Sequence, residues 1–75
     1  MDLQNDRKKD RLESQLRDLK LEQKLLLRRE TELNRGLEKD PKSLRFKEDL
    51  LQVRRDLDEN RSEIEEVKKQ LSQIK

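Results

Sequence analysis

The sequence predicts an all-α fold, a two-helix antiparallel coiled-coil hairpin, and three observations lead to it. Apolar residues recur at alternating steps of four and three in two separate runs, the spacing that keeps one stripe of a helix against a partner helix. The chain's one glycine, Gly36, and its one proline, Pro41, lie at the junction of the two runs. Good helix formers (Leu, Lys, Arg, Glu and Gln) dominate the composition. We therefore expect a single hairpin over residues 1–75.

The first helix is expected from about residue 6 to about residue 37. Residues 1–8 lack the seam pattern and are expected to fray. Gly36 is typical of a helix C-terminus, where a positive backbone φ is tolerated. The seam of this helix consists of Leu12, Leu16, Leu19, Gln23, Leu26, Glu30, Leu33 and Leu37.

A loop at about 38–42 and a second helix at about 41–74 follow. We expect Asp40 to cap the new helix and Pro41 to occupy its first position, where the missing N–H costs nothing. Because the connection is short, the two helices should be antiparallel neighbours. The second seam consists of Phe46, Leu50, Val53, Leu57, Asn60, Ile64, Val67, Leu71 and Ile74.

Two registers of the hairpin differ in where they place the seam amides. In the first, Gln23 faces Val53 and Leu16 faces Asn60, so each amide lies against an aliphatic side chain. In the second, Gln23 faces Asn60. Burying an unpaired amide costs about 1–3 kcal/mol, whereas a pair of amides can satisfy itself. We therefore favour the second register, with Gln23 and Asn60 as its polar layer and with Glu30 opposite Val53, its carboxylate directed outward.

The charged residues that flank the second seam are segregated by sign. Such segregation helps to select orientation and partner, although each exposed pair contributes only a few tenths of a kcal/mol. Acidic residues lie on one side (Asp49, Asp56 and Glu63), and basic residues lie on the other (Lys47, Arg54, Arg61 and Lys68).

Composition favours a coiled coil over other classes of protein. Charged residues make up 51% of the chain and hydrophobic residues 28%, which is low for a globular core but sufficient for two apolar positions in seven. Disorder is the competing interpretation, and the regular placement of the leucines argues against it. The net charge of +2 comes from 20 basic and 18 acidic residues that are interleaved. A nucleic-acid partner is therefore not expected, because it would require a face of one sign.

The residue types that catalytic and metal sites use most often are absent from the sequence. The chain has no histidine and no cysteine, which removes the usual general base near neutral pH and the commonest metal ligands. We expect no enzyme activity, no catalytic residue, no cofactor and no metal. No apolar stretch has the length of a membrane span, and residues 1–10 are too polar for a signal peptide. We expect no membrane insertion and a cytoplasmic location.

Leucines outside the seams are the candidate binding residues. Leu27, Leu44 and Leu51 lie on one flank near the loop end, edged by Lys20, Lys47 and Arg54. An apolar patch rimmed by basic residues suits a partner surface. The alternative is that these leucines widen the core of the hairpin.

A second pair of leucines lies on the outer face of the first helix. Leu21 and Leu25 are four residues apart, so they share one face, and the hairpin itself cannot cover it. We expect self-association there, or contact with the rest of a longer protein.

The turn and the second helix resemble the HR1 domains of Rho-family effectors, in particular those of F-BAR adaptor proteins. The resemblance covers roughly residues 33–74 and is carried by Asp40-Pro41, Ser43-Leu44, Leu57, Ile64, Val67 and Leu71. The first helix departs from the protein-kinase-N type of HR1, because Gly36 is followed by Leu37-Glu38 and not by a Gly-Ala-Glu-Asn-like segment. The resemblance implies that a small GTPase binds one flank of the hairpin.

The leading hypothesis is therefore a non-catalytic protein-interaction module that presents a two-helix surface. The alternative is a structural or oligomerisation segment of a larger scaffold or cytoskeletal protein. A third hypothesis is association with lipid or nucleic acid through short basic pairs such as Arg28-Arg29 and Lys68-Lys69.

Overall fold

The computed structural model describes residues 3–74, with side chains from residue 6 onward. Two α-helices, α1 (Leu3–Lys39) and α2 (Leu44–Gln73), pack against each other, and these residues contain no strand. The molecule measures 60 × 14 × 13 Å, which is the shape of two long helices lying side by side. The predicted all-α hairpin is confirmed.

Helix α1 starts earlier than the sequence predicted. It is helical from Leu3, so the expected fraying is wrong over residues 3–8, while residues 1 and 2 lie outside the described part of the chain. The first three turns contain no glycine or proline, and Lys9 Nζ lies 4.0 Å from the Glu13 carboxylate one turn further on. Such pairs support an exposed helix by a few tenths of a kcal/mol.

Gly36 does not end α1, which continues through it to Lys39. The Asp40 N–H donates to the Gly36 carbonyl at 2.9 Å, and no described residue has a positive φ. Gly36 is instead a point of close approach, since a Cβ at this position would lie 3.0 Å from Cε2 of the Phe46 ring. The glycine therefore makes room for an aromatic ring across the hairpin.

Helix α2 begins at Leu44, and its N-cap is Ser43, not Asp40 as predicted. Pro41 lies in a turn before the helix, which the Ser43 N–H closes by donating to the Asp40 carbonyl at 3.1 Å. The Ser43 hydroxyl accepts from the Phe46 N–H at 3.2 Å, the bond that satisfies a free amide of the first helical turn. The loop therefore spans residues 40–43.

The core is a single seam that divides into two apolar clusters. The loop-end cluster contains Leu33, Leu50, Val53 and Leu57, with Leu26, Leu37 and Phe46 packed against it. The open-end cluster contains Leu12, Leu19, Ile64 and Val67, with Leu16, Leu71 and Ile74 packed against it. All are seam positions of the predicted heptads, and Asn60 lies between the two clusters.

Two contacts across the hairpin agree with the favoured register. Phe46 packs beside Gly36, next to Leu37, which faces Phe46 when Gln23 is aligned with Asn60. Glu30 extends to Arg54, whose Nε lies 3.9 Å from the Glu30 carboxylate. The seam glutamate is thus paired at the edge of the hairpin, as its outward direction predicted.

Candidate interaction surfaces

The polar layer of the seam is built differently from the predicted pair of amides. Asn60 is 1% exposed, and its Nδ2 donates to the backbone carbonyl of Leu19 at 2.9 Å. This is the carbonyl that helical geometry also pairs with the N–H of Gln23. The Gln23 side chain is half-buried. The layer therefore joins a side chain to the backbone of the opposite helix.

One polar atom of this layer has no hydrogen-bond partner. Asn60 Oδ1 is buried and has no hydrogen-bond partner within the described part of the chain. A buried acceptor without a partner costs about 1–3 kcal/mol. We therefore expect Asn60 to lower the stability of the seam, and a single polar residue of this kind is known to specify register in coiled coils.

The three leucines of the predicted partner flank are on the surface. Leu27 is 41% exposed, Leu44 72% and Leu51 55%. The alternative that they widen the core is therefore wrong, because the buried apolar residues of the seam are only 3–6% exposed. Lys47 and Arg54 are exposed as well. We call this surface, formed by Leu27, Leu44, Leu51, Lys47 and Arg54, the basic flank.

The ion pair between Glu30 and Arg54 joins the two helices at this flank. Glu30 follows Leu27 by three residues, and Arg54 follows Leu51 by three. Residues three apart are neighbours on a helix surface, so the 3.9 Å pair places Leu27 and Leu51 on the same side of the hairpin. The basic flank is therefore a surface that both helices contribute to.

The residues predicted for self-association are equally accessible. Leu21 is 59% exposed and Leu25 56%. They lie on α1 between seam residues that face α2, such as Leu19, which is 6% exposed. The structure thus leaves two separate leucine surfaces uncovered.

Other kinds of site were sought in the same residues. The described chain encloses no pocket. Among those residues, no group of three His, Cys, Asp or Glu side chains is placed to hold a metal ion. Neither α1 nor α2 is long and apolar enough to cross a membrane over its described length.

Sequence reasoning missed three features around these surfaces. Ser43 carries an N-cap signal in its hydroxyl, but Asp40 carries one of similar strength, so the sequence does not choose between them. The pairing of Gly36 with Phe46 required the register to be known. The Leu19 carbonyl as acceptor carries no sequence signal, because every residue has a carbonyl.

Fold and surfaces together define an α-helical hairpin with an intramolecular leucine seam and exposed leucines on two further faces. Comparison with known proteins adds nothing to this description: no protein-family model, curated protein or solved structure matches the chain. The function must therefore be argued from the surfaces themselves.

Proposed function

We propose that the hairpin is a non-catalytic protein-interaction module that binds its partner through the basic flank. The seam holds the two helices in one register, and the flank presents Leu27, Leu44 and Leu51 on a preformed surface. Preformed surfaces bind with a smaller entropic cost than segments that fold on binding. The proposed role of the hairpin is thus to hold these three leucines in a fixed arrangement for a partner to bind.

The observation that carries this proposal is the exposure of Leu44 (72%) and Leu51 (55%) in a chain of which 51% of the residues are charged. Single exposed leucines are common on protein surfaces. A group of three on one flank, contributed by two helices and joined by an ion pair, is the kind of patch that marks an interface.

The charged residues at the edge of the basic flank indicate the chemistry of the partner. The α2 side of the flank carries Lys47, Arg54, Arg61 and Lys68, which are all exposed. A complementary surface would be apolar at its centre and acidic at its edge, since matched charges steer association and select partners. We propose a Rho-family GTPase as the narrower candidate, because the turn and second helix resemble HR1 domains. Together with this candidate we propose a cytoplasmic location.

A matched pair of substitutions tests the flank. Leu51→Glu introduces a charge on the basic flank, and Leu25→Glu makes the same change on the outer face of α1, at nearly the same exposure (55% and 56%). We expect Leu51→Glu to abolish binding to Rho-family GTPases loaded with a non-hydrolysable GTP analogue, and Leu25→Glu to leave it unchanged. Binding is measured by titration calorimetry, with helicity followed by circular dichroism.

The outcomes separate the general proposal from the narrower one. If no GTPase in either nucleotide state binds the wild-type chain, the GTPase candidate fails. The general proposal is then tested by affinity capture from cell extract. Proteins retained by the wild type and by Leu25→Glu, but lost with Leu51→Glu, would support it. Retention of the same proteins by all three chains would contradict it.

The second candidate is a structural or oligomerisation segment of a larger scaffold or cytoskeletal protein. It is favoured by Leu21 and Leu25, which are more than half exposed on a face that α2 does not reach. The double substitution Leu21→Glu/Leu25→Glu should then convert an oligomer into a monomer in sedimentation equilibrium. A wild-type chain that sediments as a monomer at every concentration would contradict this candidate.

A further inference from the structure

Four basic residues of α1 are consecutive neighbours on the helix surface. Lys20 follows Arg17 by three residues, and Lys24 and Arg28 follow at steps of four, so each lies beside the next. All four are exposed, and none of them forms an ion pair within the described residues. We call this set, Arg17, Lys20, Lys24 and Arg28, the basic ridge.

The basic ridge breaks a local rule of helix stability. Like charges three or four residues apart destabilise a helix, and Lys20 and Lys24 each have a basic residue on both sides at these spacings. No acidic residue stands three or four positions from either lysine, so neither has a carboxylate neighbour along α1. Sequences break such local rules chiefly at functional sites. The ridge therefore points to a partner that supplies negative charge.

The ridge lies on the same side of the hairpin as the basic flank. Lys20 stands seven residues before Leu27, and Lys24 stands three before it, so both lysines share a face with Leu27. The ion pair between Glu30 and Arg54, at 3.9 Å, places Leu27 on the side of Arg54. The binding surface of the flank thus extends along α1 toward the open end.

The basic residues of α2 on this side differ in their neighbours. They recur at seven-residue intervals, about 10.5 Å apart, as Lys47, Arg54, Arg61 and Lys68. The last three stand three or four positions from Asp58 or Glu65. Lys47 does not, since its neighbours at these spacings are Ser43, Leu44, Leu50 and Leu51. The positive charge without a carboxylate neighbour on its own helix is therefore that of Lys20, Lys24 and Lys47.

We propose that the surface between the two helices on this side binds an acidic amphipathic α-helix of the partner. Apolar side chains of that helix contact Leu27 and Leu51, and its carboxylates pair with Lys20, Lys24 and Lys47. The proposal rests on the proposed function of the basic flank, whose partner it specifies.

The spacing of the surface favours a helix as the bound element. Lys20 and Leu27 are seven residues apart on α1, as are Lys47 and Arg54 on α2. A third helix along the hairpin repeats its own side chains at the same interval. Amphipathic helices bind such surfaces through apolar residues at steps of three, four and seven.

Phosphate-bearing partners fit this surface less well. Proteins that bind single-stranded nucleic acids stack bases on aromatic side chains, whereas the one aromatic residue here, Phe46, packs against the loop-end cluster. A lipid surface or a nucleic-acid duplex is broad enough to meet Asp58 and Glu65 as well, and both are exposed. An acidic helix is narrower and carries the apolar residues that Leu27 and Leu51 require.

A pair of synthetic peptides provides the probe. Each has about 20 residues, roughly 30 Å as a helix, with leucines at alternating steps of three and four. One peptide carries glutamate on both flanks of the leucine stripe, and the other carries lysine. Titration calorimetry with the full chain should give a dissociation constant of about 1–100 µM for the glutamate peptide. The lysine peptide should bind about tenfold or more weakly.

Lys24→Glu separates binding from stability. The new carboxylate lies four residues from both Lys20 and Arg28, so two like-charge pairs become opposite pairs, and the urea midpoint should rise. The same variant should bind the glutamate peptide about tenfold more weakly. The double variant Lys20→Glu/Lys24→Glu should prefer the lysine peptide.

Arg11→Glu is the matched control. Arg11 is exposed and lies about 160° around α1 from Leu27. Its neighbours at four and three positions before it are Arg7 and Lys8, so this change also turns like-charge pairs into opposite pairs. It should raise the urea midpoint and leave binding of the glutamate peptide unchanged.

Four results would overturn the proposal. They are the absence of binding by either peptide, equal binding of both, and an equal loss of binding for Arg11→Glu and Lys24→Glu. The fourth is tighter binding to duplex DNA or to phosphatidylserine vesicles, which would assign the ridge to phosphate groups. The proposed function would survive these results if capture of cellular proteins still depended on Leu51.

Discussion

Leu50 and Leu51 are neighbours in the sequence and opposites in the structure. Leu50 is 6% exposed and packs in the loop-end cluster, whereas Leu51 is 55% exposed on the basic flank. A step of one residue turns the side chain by about 100° around the helix, which here moves it from the seam to the surface. The same residue type therefore stabilises the hairpin at one position and is available to a partner at the next.

The contrast extends to the whole molecule. The apolar residues of the seam form the core that stabilises the fold, whereas five leucines outside it are 41–72% exposed: Leu21, Leu25, Leu27, Leu44 and Leu51. A hairpin of two helices has only one seam, so apolar residues elsewhere contribute little to its own core. The difference teaches that stability and binding are carried by separate leucines and can be changed separately.

The largest expected effect comes from the same substitution at the two neighbours. Leu50→Ala should lower the free energy of unfolding by about 2–5 kcal/mol, because it leaves a cavity beside Leu33, Val53 and Leu57. Leu51→Ala should change it by less than about 0.5 kcal/mol, as for other surface positions. Urea unfolding followed by circular dichroism measures both. Similar losses for the two variants would contradict the division into seam and surface.

A change of opposite sign is expected within the seam at its polar residue. Asn60→Leu should raise the free energy of unfolding by about 1–2 kcal/mol, because it removes a buried oxygen without a partner. The Leu19 carbonyl keeps the N–H of Gln23 as its donor. The measurement is again the urea midpoint. A loss of stability would show that the bond from Asn60 to Leu19 outweighs the unpaired oxygen.

The contact between Gly36 and Phe46 allows a test of packing at the loop end. Gly36→Ala should destabilise the hairpin by about 1 kcal/mol, because the new Cβ lies 3.0–3.2 Å from three ring carbons and crowding outweighs the gain in helix propensity. With Phe46→Leu as background, the same change should stabilise by about 0.5–1 kcal/mol. The test is this reversal of sign in thermal unfolding; an equal effect in both backgrounds would rule out the contact as its cause.

A loss of similar size is expected at the start of α2. Ser43→Ala should cost about 1 kcal/mol, because the Phe46 N–H loses its acceptor. Asp40→Ala serves as the comparison and should cost less than about 0.5 kcal/mol, since only the Asp40 backbone carbonyl accepts the bond that closes the turn. Thermal unfolding of the two variants measures the difference. A larger loss of stability for Asp40→Ala than for Ser43→Ala would indicate that Asp40 is the N-cap of α2, as the sequence suggested.

Predictions from the sequence succeeded where they depended on periodicity. The heptad steps identified every residue of both clusters, and the exposure of Leu21 and Leu25 followed from their distance to the seam. Whether Leu27, Leu44 and Leu51 are buried or exposed stayed open, because they lie close enough to the seam either to pack against it or to point away. Only the positions of the two backbones decide between these outcomes.

Predictions failed where local signals compete. Asp40, Pro41 and Ser43 can each start a helix, and sequence preference does not rank them. The packing of the two seams decides which residue starts the helix. Helix α2 must present Phe46 toward Gly36, and Ser43 as the N-cap is compatible with that geometry. Gly36 carries a helix-end signal, yet the packing across the hairpin keeps α1 helical to Lys39.

The sequence by itself determined that the chain forms two helices, which stripe of each is buried and that the pairing is antiparallel. These follow from periodicity and a short connection, which are local properties. Tertiary structure alone decided the end of α1, the cap of α2, the partner of Asn60 and the exposure of the basic flank. Each of these depends on distances of a few ångströms between residues far apart in the chain, and such distances are set by the packing of one helix on the other.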